Sequence, residues 1–179
     1  MDETHTLTGN IQQHPAFESR ILRNRRDVSV YLPRGYGRAR ERRHPVFYMH
    51  DGQNVFDAAT SFAGVEWGVD ETAQRLTQKW LIEPLIIVAV ANTGANRIHE
   101  YAPTRGVIEV NALRTRRSHG SLRKYGRFLR EELKPFIDRE YRTRFTPSAQ
   151  VCAALVLLQT WPYVSRQGQC LSVEHLFPR

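Results

Sequence analysis

The chain has 179 residues, of which 41% are hydrophobic and 10% aromatic, with two cysteines and a net charge of +8. This composition excludes a disordered chain and a disulfide framework, and Cys152 and Cys170 lack the C-x-x-C spacing of a metal or redox site. The basic surplus of 26 over 18 acidic residues is nearly all arginine, with Lys79, Lys124 and Lys134 the lysines, and it keeps a basic, nucleic-acid-binding module open as an alternative to catalysis.

Residues 17–22 and 26–33 alternate apolar and polar in the manner of half-buried strands, with Arg23-Asn24-Arg25 as the turn between them. Pro33 and the cluster Gly35-Tyr36-Gly37 end the second strand. Arg38 to His44 is charged and reads as a solvated loop. Pro45 to His50 is a short apolar run bounded by turn signals, which predicts a buried strand, and Asp51-Gly52-Gln53-Asn54 follows as a turn. From Val65 to Trp80 the apolar residues Val65, Val69, Ala73, Leu76 and Trp80 recur at helical spacing, with Asp70 and Glu71 near the start where the helix dipole favours them. Leu85 to Ala91 is almost entirely apolar and β-branched, as in a strand buried on both faces of a parallel sheet. A second helix is predicted over Leu122 to Tyr141, kinked or restarted at Pro135. Strands alternating with helices give an α/β fold with a parallel sheet and crossover helices.

In open sheets of this kind ligands gather beyond the carboxyl ends of the strands. Two such ends carry polar loops. The first, His50-Asp51-Gly52-Gln53-Asn54, has a glycine that lets the backbone turn sharply and present N–H groups. A plain tight turn, with Asp51 bonded to backbone amides, fits the same residues. The second, Ala91-Asn92-Thr93-Gly94-Ala95-Asn96, leads to Arg97, Glu100 and Tyr101 and suits either a substrate-facing loop or any surface loop.

Several blocks in fixed order carry a resemblance. Val30-Tyr31-Leu32-Pro33, Tyr48 to Asp57, Glu66 to Glu71, Ala91 to Gly94, Glu100 to Arg105 and Tyr125 through Arg142 resemble the putative esterase family. This is the branch of the α/β-hydrolase fold with esterase D-type, feruloyl and enterochelin esterases. The likeness covers roughly residues 17–105 and 124–144, and residues 106–123 depart from it as an insertion or disturbed stretch would. The resemblance implies a truncated α/β-hydrolase sheet acting on a small-molecule ester, with no cofactor, no metal and no membrane partner. It implies oxyanion-hole N–H groups from Gly52 and Gln53, with Asp51, Asn54, Asn92 and Tyr101 on substrate-facing loops. His50 is expected to be a packed strand-end residue, since the catalytic base of this fold comes last in the chain.

The family also requires Gly-x-Ser-x-Gly after the helix ending near Tyr141. None of Ser19, Ser29, Ser61, Ser118, Ser121, Ser148, Ser165 and Ser172 has glycine at both flanking positions. Val151 to Leu158 stands where the strand and elbow belong, and no catalytic residue can be assigned; Glu174 and His175 have no serine to serve. Residues 1–145 therefore read as the amino-terminal part of a hydrolase domain and 146–179 as a non-family tail. Codons for Ala153 to Leu157, read two bases later, can spell Gly-Ser-Ser-Leu, so a displaced reading frame near residues 145–150 is the expectation. The chain is also shorter than the roughly 200–250 residues usual for a complete enzyme of this architecture. With no run of about 20 apolar residues and a polar stretch from Met1 to Pro15, the expected compartment is the cytoplasm.

Overall fold

A computed structural model describes residues 5–62, 64–102, 105–111, 114–144 and 150–153. A mixed five-stranded sheet runs in the order β1-β2-β4-β3-β7. Strands β1 (Asn10–Ser19) and β2 (Asn24–Leu32) form an antiparallel hairpin. β2 lies antiparallel to β4 (Ile86–Val90), while β3 (Val46–His50) runs parallel both to β4 and to β7 (Gln150–Ala153).

The first strand begins at Asn10 rather than at Phe17 and ends at Ser19 rather than at Leu22. Its opening residues are polar because it is the sheet edge and most of them face solvent. Ile21 and Leu22 belong to the turn instead. Their backbone folds around Ser19, whose Oγ accepts the Leu22 N–H at 2.9 Å, and around Glu132, which accepts the N–H groups of Arg20 and Ile21 at 3.0 and 3.1 Å.

Between β3 and β4 the chain crosses over through α1 (Val69–Gln78). This helix is shorter than the spacing of apolar residues predicts. Gly68 stands before it at φ 57°, and Trp80 leaves it at φ 57°, a left-handed conformation that ends a right-handed helix. Val65 and Trp80 are thus outside the helix and exposed. On this face Ala73 packs with Tyr31, Val55, Phe56, Ile87 and Ala89.

The opposite face of the sheet is covered by α3 (Leu122–Phe128), a π-helical turn (Leu129–Leu133) and α4 (Lys134–Glu140). Leu129, Leu133 and Ile137 of the predicted helix, joined by Phe128, are buried with Val28, Val30, Val46, Tyr48, Val88 and Val90. The expected disturbance at Pro135 takes the form of that wide turn, in which the Lys134 N–H bonds to the Leu129 carbonyl. Widening the turn before a proline relieves the clash its ring would make with the preceding turn, and the helix continues. With helices on both faces, all five residues of β4 are buried, as a continuous apolar strand in the middle of an α/β sheet should be.

Residues 105–111 and 114–119 lie outside the main sheet. Strands β5 (Arg105–Asn111) and β6 (Arg114–His119) pair only with each other as an antiparallel hairpin, inserted between α2 (Arg97–Tyr101) and α3. His44, placed by sequence in a solvated loop, is buried; its N–H bonds to the Arg142 carbonyl and its ring to the Pro84 carbonyl at 2.9 Å. No helix among the described residues is long and apolar enough to cross a membrane.

Candidate active site

β3, β4 and β7 are parallel neighbours, so their carboxyl ends open on one edge of the sheet. Each polar strand end predicted from sequence falls there. After His50 the chain enters a left-handed residue, Asp51 at φ 54°, and then a 3-10 turn, Gly52–Asn54, closed by the Asn54 N–H on the Asp51 carbonyl at 2.9 Å. A short acidic side chain tolerates that conformation better than most.

Gly52 is required here by crowding. A Cβ at this position would lie 2.6 Å from backbone atoms of Ala89 and Val90. The turn is therefore pressed against β4, and only a hydrogen fits between them. In a helical turn the first N–H groups have no acceptor within the turn itself. Those of Gly52 and Gln53 occupy these positions, and two adjacent N–H groups at a strand end can receive negative charge developing on oxygen.

Three polar side chains hold the turn. The Asp51 carboxylate receives Arg97 Nε and Nη2, each at 2.6 Å, and Asn92 Nδ2 at 2.7 Å. Asn92 also donates its backbone N–H to Gln53 Oε1 at 3.2 Å and accepts the Gly94 N–H at 2.8 Å. The loop after β4 is thereby tied to the turn after β3. The Asp51 carboxylate also raises the Arg97 guanidinium above its ordinary value. On the far side, the Gln53 carbonyl accepts the Thr60 hydroxyl at 2.6 Å, and Asn54 accepts the Phe62 N–H through Oδ1 and the Trp67 N–H through its carbonyl.

Behind the turn lies an aromatic cluster. His50 is buried and hydrogen-bonded through Nδ1 to the Tyr125 hydroxyl at 2.8 Å. Burial pushes its pKa down to about 4, against the opposing pull of Asp51, so the ring is neutral at neutral pH. Tyr101 packs on both partners, with ring centroids 5.8 Å from His50 and 5.0 Å from Tyr125. Beneath them Arg26 and Glu100 form a buried ion pair at 2.7 Å, and Asn24 adds a bond to the same carboxylate at 2.8 Å.

The expected residues thus separate by role. Gln53, Asn54 and Asn92 are partly exposed at the strand ends. Asp51 and Tyr101 are each only 2% exposed; they face other side chains, Asp51 gripping Arg97 and Tyr101 filling the space behind His50. Arg97 and Tyr125, which complete the arrangement, have no signal of their own in the sequence. Each is separated by tens of residues from the group it meets. Among the described residues the hydroxyls of Ser19, Ser29 and Ser61 go to Glu132, Gln13 and the carbonyls of Gln53 and Asp57, and none of these three pairs with histidine. Residues 154–179, including Ala154 to Leu158, Glu174 and His175, lie outside the described residues, as do most of those near the suspected frame change.

The family described as Putative esterase matches residues 19–154. Among solved structures, an IroE-like serine hydrolase from Shewanella oneidensis is similar at 28% identity and a TM-score of 0.60, over 75% of this chain and 40% of its own. A ferulic acid esterase is similar at 22% identity and a TM-score of 0.53, over 80% of this chain and 49% of its own. The enterobactin esterase FES from Shigella flexneri, at 16% identity and a TM-score of 0.55, is covered over 30% of its length by 80% of this chain. The last two likenesses are of fold alone. The chain spans half or less of each of these three structures. No curated protein matches.

Proposed function

The chain belongs to this esterase family, and from that membership we propose that it forms the oxyanion-binding half of a serine carboxylic ester hydrolase and does not itself turn esters over. The observation that carries the reading is the Gly52 turn. Its two leading N–H groups stand at the end of β3, held by Asp51, Asn92 and Arg97, and its glycine is forced by contact with β4.

In a complete site of this chemistry a serine hydroxyl attacks the ester carbonyl while a histidine takes its proton. The carbonyl oxygen gains negative charge, the backbone N–H groups stabilise it, and the alkoxide leaves to give an acyl-enzyme that water cleaves. In this family's fold the serine stands on a sharp turn directly after the strand beside β3. β7 holds that place, with Met49 opposite Ala153. Gly-x-Ser-x-Gly is absent from the 179 residues, so the chain supplies the electrostatic part of the site and not the nucleophile. A fluorophosphonate probe tests this directly: no serine of the chain should be labelled, and hydrolysis of short-chain 4-nitrophenyl esters should stay at the blank rate. Stoichiometric labelling of a serine would overturn the proposal.

A second reading, a basic binding module with nucleic acid as one partner, draws on a cleft of about 570 Å³ lined by Arg20, Arg23, His99 and Lys124 and separate from the Gly52 turn. Affinity for DNA that falls steeply with added salt would favour it.

A further inference from the structure

A cleft of about 570 Å³ opens between the turn joining β1 to β2, the helix α2 and the start of α3. The volume is that of a small-molecule site. Ile21 and Leu22, half-buried and packed against the core, give the cleft an apolar side. Arg20, Arg23 and Lys124, all exposed, give it a cationic one. Among the described residues these three cations form no ion pair.

The acidic residue of the lining, Glu100, is already taken. Its Oε1 accepts Asn24 Nδ2 at 2.8 Å and Arg26 Nη2 at 2.7 Å, and its Oε2 accepts Arg26 Nη1 at 3.3 Å. Arg26 is a buried residue, so the carboxylate is neutralised from the interior and the charges of the three outer cations stand uncompensated. Like charges gathered on one cleft repel one another, and an anion placed among them reverses that balance. The backbone that carries two of them is held in place, because Glu132 accepts the N–H groups of Arg20 and Ile21 and the Ser19 hydroxyl. Arg23 also stands at φ 54°, a left-handed conformation that glycine or asparagine adopts with less strain. A cationic side chain fills the position despite that strain.

We propose that this cleft binds a small organic polyanion, its carboxylate or phosphate oxygens on Arg20, Arg23 and Lys124 and its hydrocarbon part on Ile21 and Leu22. Guanidinium groups present paired N–H donors that match either anion, and a lysine adds a point charge. A nucleic acid is a poorer match, because a duplex is held by cations spread along its length, whereas these three line one cleft. The site is joined to the Gly52 turn through adjacent residues, since Asn96 lines the cleft and Arg97 grips Asp51. It uses none of the turn's own groups and stands independently of the hydrolase reading.

Calorimetric titration of the full chain with citrate and with pyrophosphate, at constant ionic strength, tests the proposal. One equivalent of at least one probe should bind with a dissociation constant below about 1 mM, and the tighter probe identifies the anionic group. Arg23→Asn, which suits the left-handed turn, and Lys124→Gln, on the exposed side of α3, should each weaken binding about fivefold. Thermal melts without probe show that both variants are folded. Arg38→Gln removes an equal charge from an exposed position outside the cleft and should leave binding unchanged. Three results would overturn the assignment: no saturable binding of either probe, an equal loss in Arg38→Gln, or a short DNA duplex that binds through Arg23 and Lys124 where neither small anion does.

Discussion

Arg97 holds Asp51 with two parallel hydrogen bonds of 2.6 Å, so the first residue of α2 fixes the residue that starts the Gly52 turn. The Asp51 side chain is 3% exposed and that of Arg97 21%. A carboxylate this well buried needs its cation. Arg97→Ala should therefore cost about 3 kcal/mol, the usual penalty for stranding one partner of a buried pair. Urea unfolding measures it. The surface pair Arg127–Glu131 provides the contrast, since Arg127→Ala should leave the midpoint nearly unchanged.

Gly52→Ala should be worse tolerated than its small size suggests. The added Cβ meets backbone carbonyl carbon and nitrogen of β4 at 2.6 Å, and backbone in a central strand cannot step aside. Overpacking of this kind destabilises by about 1–3 kcal/mol, and here the strain falls on the turn itself. Gly37→Ala, with nothing within 4 Å of the new atom, is the control and should unfold at nearly the wild-type denaturant concentration.

His50 gives the fold a pH dependence with a defined sign. Its pKa is lowered from 6.5 to about 4 by burial, so the unfolded chain binds a proton that the folded chain refuses. Stability from this group is full above pH 6.5, falls as pH drops towards 4, and levels off below; the total is about 3 kcal/mol. His14 and His44, also lowered by burial, act in the same direction. The test compares the wild type with His50→Gln between pH 7 and 4. The difference in stability between them should shrink as the pH falls, and a constant difference would contradict the assignment.

Much of the architecture was legible because burial writes itself into composition. β4 reads as a strand since both its faces are covered, and the stripe from Leu122 to Tyr141 reads as a helix since one face meets the sheet. Where burial is weak, the pattern misleads. Asn10 to His14 carries no alternation because the edge strand is mostly exposed, and Ile21 and Leu22 look like strand while turning around Ser19 and Glu132. Trp80 matches the helical spacing of α1 and yet is 93% exposed beyond its end. The turn after β3 was legible as a turn: a glycine at a strand end marks it, and the structure has Gly52 pressed against β4 there. The partners that hold the turn were not legible. Arg97 lies 46 residues from Asp51, and Tyr125 lies 75 from His50; only the fold brings them together.

The account rests on the claim that the hydrolase pattern runs to about residue 145 and is lost after it. Sequencing the gene from the codons of residue 100 to several hundred bases beyond that of Arg179 tests this most directly. The account predicts that another frame, entered near the codons of residues 145–150, spells Gly-Ser-Ser-Leu at the nucleophile elbow over the codons of Ala153 to Leu157 and continues to an acid and a histidine. A confirmed frame with no such continuation in either alternative would contradict it and leave the chain a binding domain on an esterase fold.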